Sequence, residues 1–149
     1  MDRAAAPAGS YHRADFRVGH GCDGSPTTAV TVFVPKGVLV ARPQPKPGWA
    51  LQIERAPLAE PVKLHGREQH EAVERVRWAG GPLPDDQFDK FSLLLRLPAT
   101  PGKLAFRVLQ ECESGQIDWA EPVGTGNERP RRPMPGLRVL PADVGAHKH

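Results

Sequence analysis

Six histidines (His12, His20, His65, His70, His147, His149) and two cysteines (Cys22, Cys112) are the side chains of this sequence best suited to hold a metal or attack a substrate. The cysteines come first, because their setting is the most defined. Cys22 stands in His20-Gly-Cys-Asp-Gly-Ser-Pro-Thr27, and Cys112 in Gln110-Glu-Cys112 with Trp119 following it. Each ends an alternating apolar run, in phase with the inward residues of its own run. That placement predicts a bridge pinning two strands across a sandwich. It would close a loop of about 90 residues, worth about 4 to 5 kcal/mol by chain entropy, and would persist only in an oxidising compartment. Two unrelated buried thiols are the other reading. If the cysteines are paired, no thiolate nucleophile remains.

The histidines divide by context. His12 lies just after Ala-Gly-Ser and shares a strand face with Phe16, Val18 and His20, which makes it a candidate metal ligand; an ordinary surface or part-buried histidine is the alternative. His20 is a second candidate, weighed against a hydrogen-bonded core histidine at a strand end. His65 and His70 flank a polar turn at a spacing that fits no standard ligand pattern, so they read as solvated loop residues. His147-Lys-His149 reads as part of a flexible tail over residues 141–149. Asp85, Asp86 and Asp89 form an acidic loop without EF-hand spacing, explained by turn or cap formation as well as by cation attraction.

The elements positioning these residues are strands. Period-2 alternation dominates and helical periodicity is scarce. Tyr11–Cys22, Thr28–Val34, Trp49–Glu54, Glu71–Trp78, Phe91–Leu97 and Lys103–Cys112 alternate or are rich in β-branched residues. Val38–Ala41 is a short apolar piece, Gln116–Trp119 follows a turn at Ser114-Gly115, and Leu137–Leu140 reads as a last edge strand. Ala56–His70 is polar and predicts at most a hairpin around His65-Gly66; Glu71–Trp78 should stop at Gly80-Gly-Pro82, a short helix being its alternative. Trp49 and Trp78 fall on strands and read as core. The sum is an all-β domain of about eight short strands, a sandwich or barrel.

Composition agrees and excludes several classes. The 17 prolines and 15 glycines among 149 residues favour short strands joined by turns. A net charge of +3, with Arg129-Pro-Arg-Arg132 as the only basic knot, is too little to follow a nucleic-acid backbone. Nothing approaches the roughly 18 apolar residues of a membrane span, so membrane contact is not indicated. No phosphate loop, Gly-x-Ser-x-Gly elbow or His-Glu-x-x-His occurs, and a non-enzyme is expected.

Several separated blocks then carry a resemblance over nearly the whole chain. His20-Gly-Cys-Asp-Gly-Ser-Pro-Thr-Thr28, Pro45-Lys-Pro-Gly-Trp49, Trp78-Ala-Gly-Gly81, Leu83-Pro-Asp-Asp86, Phe88-Asp-Lys-Phe91, Gln110-Glu-Cys112, Trp119 and Pro135-Gly-Leu137 together resemble the YcnI-like domain of exported bacterial proteins. The resemblance implies an immunoglobulin-like or cupredoxin-like β-sandwich over residues 7–140. It also implies a periplasmic or extracellular location, and Cu(II) binding in copper trafficking with a copper chaperone or copper importer as partner. Family members hold copper through a mature N-terminal histidine, with a carboxylate and a nearby tryptophan, a donor set that suits Cu(II). Trp119 matches that tryptophan as a neighbour of the metal. Met1-Asp-Arg-Ala-Ala-Ala stands where the histidine and a first strand are usual, so the expectation is a start downstream of a signal or a member without that ligand. A non-metal periplasmic interaction module is the alternative function; a copper redox enzyme lacks its essential N-terminal histidine.

Overall fold

The computed structural model describes residues 4–122 and 131–142. Eleven strands form there: β1 Ala4–Pro7, β2 Tyr11–Val18, β3 Thr27–Phe33, β4 Val40–Pro43, β5 Trp49–Leu64, β6 Arg67–Leu83, β7 Asp89–Arg96, β8 Gly102–Ala105, β9 Arg107–Cys112, β10 Gln116–Trp119 and β11 Gly136–Leu140. They make a five-stranded sheet in the order β10-β9-β3-β6-β5 and two three-stranded sheets, β2-β7-β4 and β1-β11-β8. No helix of the described residues is long and apolar enough to cross a membrane.

Register explains the core. β-branched β3 occupies the middle of the large sheet, where both ladders are filled and five of its seven residues are buried. Val30 lies between Trp78 and Gln110, and Val32 between Val76 and Val108. β10 extends the second of these rows by setting Trp119 beside Val108. Against this face pack Ala14, Phe16, Phe91, Leu93 and Leu95 of one small sheet and Leu104, Leu137 and Val139 of the other, in one continuous apolar cluster. At its centre Trp78 is fully buried, donates Nε1–H to the Gln44 carbonyl (3.0 Å) and meets the Phe91 ring edge-on at 5.4 Å. Trp49 closes on the same Phe91 at 5.2 Å.

β8 and β9 belong to different sheets, yet Leu104, Phe106, Val108 and Gln110 keep one inward phase through the switch. Phe106 anchors it, donating its backbone N–H to the Pro135 carbonyl (2.9 Å) while its ring meets Phe16 at 5.3 Å.

Several sequence expectations change. Two strands are long, β5 of 16 and β6 of 17 residues, because the polar segment 56–70 is the outer half of one hairpin. Its turn is His65-Gly66, both left-handed (φ 53° and 76°), the geometry of a two-residue hairpin turn. His65 is exposed in this turn, as a solvated loop residue would be, and is also bonded there. Its Nε2 accepts from the Tyr11 hydroxyl (2.9 Å) and stands 3.3 Å from Arg96 Nη1, clasping the hairpin tip to β2 and β7.

β6 does not stop at Gly80-Gly81. The missing side chains let the strand pass under Gly48-Trp49, where a Cβ on Gly81 would stand 2.6 Å from the Trp49 ring, and pairing continues as Trp49↔Gly80. The short piece expected at 38–41 pairs as Val40–Pro43. β11 is not an edge strand, because Ala4–Pro7 pairs with it in parallel on one side and β8 on the other. The first strand thus begins three residues before the expected domain start. The tail segment 143–149, with His147 and His149, lies outside the described residues.

Candidate functional site

The site is built at the end of β2. Regular pairing of β2 ends at Val18, opposite Asp89, and the chain turns at Gly19 into a tight loop. Cys22 and Ser25 exchange both backbone hydrogen bonds (3.0 and 2.9 Å) around Asp23 and Gly24, which are left-handed at φ 49° and 85°. Asp-Gly is the pair that such a two-residue turn favours, since both positions need φ above zero. Gly21 must be glycine: a Cβ there would run into the Ser25 carbonyl oxygen. Its N–H is held by Asp85 Oδ1 at 2.8 Å, which accounts for one member of the acidic loop; Lys46 pairs with another, Asp89, at 2.8 Å. The Cys22–Cys112 disulfide, across a sequence separation of 90, fastens this loop to β9.

Gln110 joins the loop to the tryptophan. Only 2% exposed, it donates Nε2–H to the His20 carbonyl (2.7 Å) and to Thr27 Oγ1 (2.9 Å). Its Oε1 accepts Trp119 Nε1–H at 3.2 Å. The orientation of the amide follows from chemistry, because an indole N–H only donates and a carbonyl only accepts. Sequence phase marks Gln110 as inward but says nothing of this role; a polar residue at an apolar phase position was the available signal. Gln110→Ala should cost about 2 kcal/mol in denaturant unfolding, since three partners, Thr27 fully buried among them, lose their bonds at once. A loss below about 0.5 kcal/mol would mean that water replaces the amide.

His20 differs from its expected role. With β2 ended before it, the alternation that would turn it inward is broken, and the residue is exposed at the rim. Its Nδ1–H donates to the Gly21 carbonyl (2.7 Å), so Nε2 carries the lone pair. The ring centroid lies 6.4 Å from that of Trp119.

His12, half-buried on β2 opposite Leu95, is six residues of extended chain from Val18, or about 20 Å. The structure brings His20 and Trp119 together and leaves His12 at the far end of the strand. Asp118, the carboxylate next to Trp119 in sequence, is no free donor. A two-pronged hydrogen bond from Arg107 (3.0 and 2.8 Å) holds it below the usual carboxylate range. Among the described residues no group of three or more His, Cys, Asp or Glu is placed to hold a metal ion.

Beside His20 and Trp119 opens a groove of about 890 Å³ between the end of β2, the β8–β9 switch, the chain after β10 and the start of β11. Its walls include Phe16, Val18, Leu104, Val108, Met134 and Leu137, with Arg17, Lys103 and Arg138 also lining it. No single segment of sequence announces it, because four separate stretches contribute.

The same architecture occurs in a crystal structure of an uncharacterized protein from Nocardia farcinica, described as having an immunoglobulin-like fold. It is 28% identical, with a TM-score of 0.70 over 90% of this chain and 91% of that one. No curated protein sequence matches the chain. Residues 1–139 match the model of a domain of unknown function, DUF1775, which is the YcnI-type family. On that match, spanning both the groove and the stapled loop, this immunoglobulin-like β-sandwich belongs to the DUF1775 family.

Proposed function

We propose that the protein is a copper-handling module acting outside the cytoplasm, with His20 as its own ligand to a cargo Cu(II) ion and with a copper chaperone or importer as partner. The observation that carries this reading is the His20 ring. Its Nδ1–H is spent on the Gly21 carbonyl, leaving the Nε2 lone pair of the neutral ring for a metal, on an exposed residue whose ring lies 6.4 Å from that of Trp119. A backbone carbonyl on the second ring nitrogen is the usual outer partner of a metal-bound histidine. His20 is preferred over His12 because it neighbours the tryptophan that the family resemblance associates with copper. A cargo site with one fixed imidazole keeps other coordination positions open, so donors from outside the described residues, or from a partner, can enter as copper is handed on. Export is supported by the disulfide, which reducing cytosol would not maintain. No catalytic role is proposed.

The test uses chain in which His147 and His149 are alanine, so that the tail cannot bind copper. Cu(II) titration should quench Trp119 fluorescence. His20→Ala should weaken binding at least about tenfold, the range expected when a ligand or its orienting partner is lost, while His12→Ala changes nothing. Equal binding by wild type and His20→Ala would overturn the assignment. Absence of copper binding in all three would overturn the copper reading and leave a non-metal interaction module.

A further inference from the structure

We infer that the outward face of the β2-β7-β4 sheet docks on an anionic membrane surface, a contact that does not depend on the copper reading. The inward face of this sheet is core, through Ala14, Phe16, Phe91, Leu93, Leu95 and Ala41. Alternation turns the residues between them outward, and register sets them side by side. Arg13 stands beside Leu94 and Leu94 beside Arg42, Arg17 stands beside Lys90, and Arg96 beside Tyr11.

The first argument is charge. The chain as a whole is nearly balanced, with 20 Lys and Arg against 17 Asp and Glu. On this face the balance fails, because Arg13, Arg17, Arg42, Lys90 and Arg96 share it with a single carboxylate, Asp15. Asp15 is already engaged. It accepts from the Ser92 hydroxyl at 2.7 Å and lies 3.2 Å from Arg13 and 4.0 Å from Lys90. At the margin of the face Asp89 is taken by Lys46 at 2.8 Å. Arg17 and Arg42 have no ion-pair partner among the described residues. Arg17 also sits directly opposite Lys90, an arrangement of like charges that is unfavourable until an anion relieves it. Strands about 4.8 Å apart and outward rows about 6.8 Å apart confine the five cations to a field of about 10 Å by 20 Å, so they act on one surface together.

The second argument is what lies among the cations. Tyr11 and Leu94 are two of the three large hydrophobic side chains exposed among the described residues, at 44% and 39%. Leu94 is flanked by two arginines, and Arg96 lies over the Tyr11 ring at 5.8 Å. Aromatic and leucine side chains set among Lys and Arg suit the headgroup level of a bilayer, where apolar groups dip in and cations meet phosphates. An acidic peptide would instead find its cations in line along a groove or a sheet edge. Here they spread over three strands of an open face, which matches a plane of charge. Contact of this kind needs no spanning segment.

The full chain in EDTA is sedimented with vesicles of phosphatidylglycerol or of phosphatidylcholine. It should bind the first, stay in solution with the second, and be released from the first as salt is raised. Arg17→Gln with Arg42→Gln should weaken binding about thirtyfold, at about fivefold for each basic residue facing an anionic surface. Arg55→Gln with Arg75→Gln removes as much charge from the large sheet and should weaken binding less than about threefold. Melting temperature reads the fold of each variant separately.

No sedimentation, equal sedimentation with both lipids, or equal losses in the two paired variants would each overturn the face. Protein that binds polyglutamate but not the vesicles would belong to an acidic polypeptide partner, and that too overturns the membrane assignment. Because EDTA removes copper throughout, the outcome is independent of the copper titration.

Discussion

Replacing Cys22 and Cys112 together by alanine should lower the unfolding free energy by about 4 to 5 kcal/mol, and the melting temperature by roughly 10 to 20 °C. The magnitude follows from the separation of 90 residues, which lets the reduced unfolded chain explore a far larger volume than the bridged one. Local contacts add to it. Thr27 Oγ1 sits 3.9 Å from Cys112 Sγ, Cys112 N–H donates to the Gly115 carbonyl (3.0 Å), and Glu113 N–H to the Pro26 carbonyl (3.0 Å). The bridge therefore holds a loop that also has backbone bonds of its own, and the double variant should fold with His20 less well fixed. Denaturant unfolding of oxidised, reduced and double-alanine protein checks this. A loss below about 1 kcal/mol would mean that the unfolded chain is already compact between the two positions.

Trp78→Ala should cost about 3 to 5 kcal/mol, the range for emptying a large buried aromatic site. Trp78 has no exposed surface, its N–H is satisfied by Gln44, and Phe91 leans on it while also supporting Trp49. Truncation opens a cavity at the one place where the hairpin, the large sheet and β7 meet, and orphans the Gln44 carbonyl. Trp78→Phe keeps most of the packing and loses the N–H, so it should cost less than half as much. Equal losses for the two variants would assign the effect to the hydrogen bond instead. Melting curves of the two variants separate these cases.

How far the sequence carried this picture depends on which residues did the reporting. Where a strand has one buried face, phase was enough: Phe16 and Val18, and the alternate residues from Leu104 to Gln110, point inward as expected, and the disulfide lies where their phase directed it. Phase failed where the backbone stopped being regular. The Phe16, Val18, His20, Cys22 series looks continuous in sequence, but β2 ends at Val18, and a loop built on Asp23 and Gly24 delivers Cys22 to the interior while turning His20 out.

Ala4–Pro7 gave no signal, because alanines bear little pattern and the partner strand is about 130 positions away; only the closed sheet reveals the pairing. The outer half of the β5–β6 hairpin was equally silent, since both of its faces are largely exposed and polar. The groove is the extreme case, with each wall an ordinary strand residue until four distant stretches converge.

β5 runs along the outside of the large sheet for 16 residues. Left plain, so long a rim would be a template on which other chains could add, the first step toward fibrous deposits. Pro57 and Pro61 have no N–H to offer a newcomer, the register with β6 slips at Glu54/Arg55 and again between Pro57 and Val62, and Glu60 and Lys63 place charge along the same stretch. The chain thereby carries its gatekeepers in the segment whose polarity and prolines made it hardest to read.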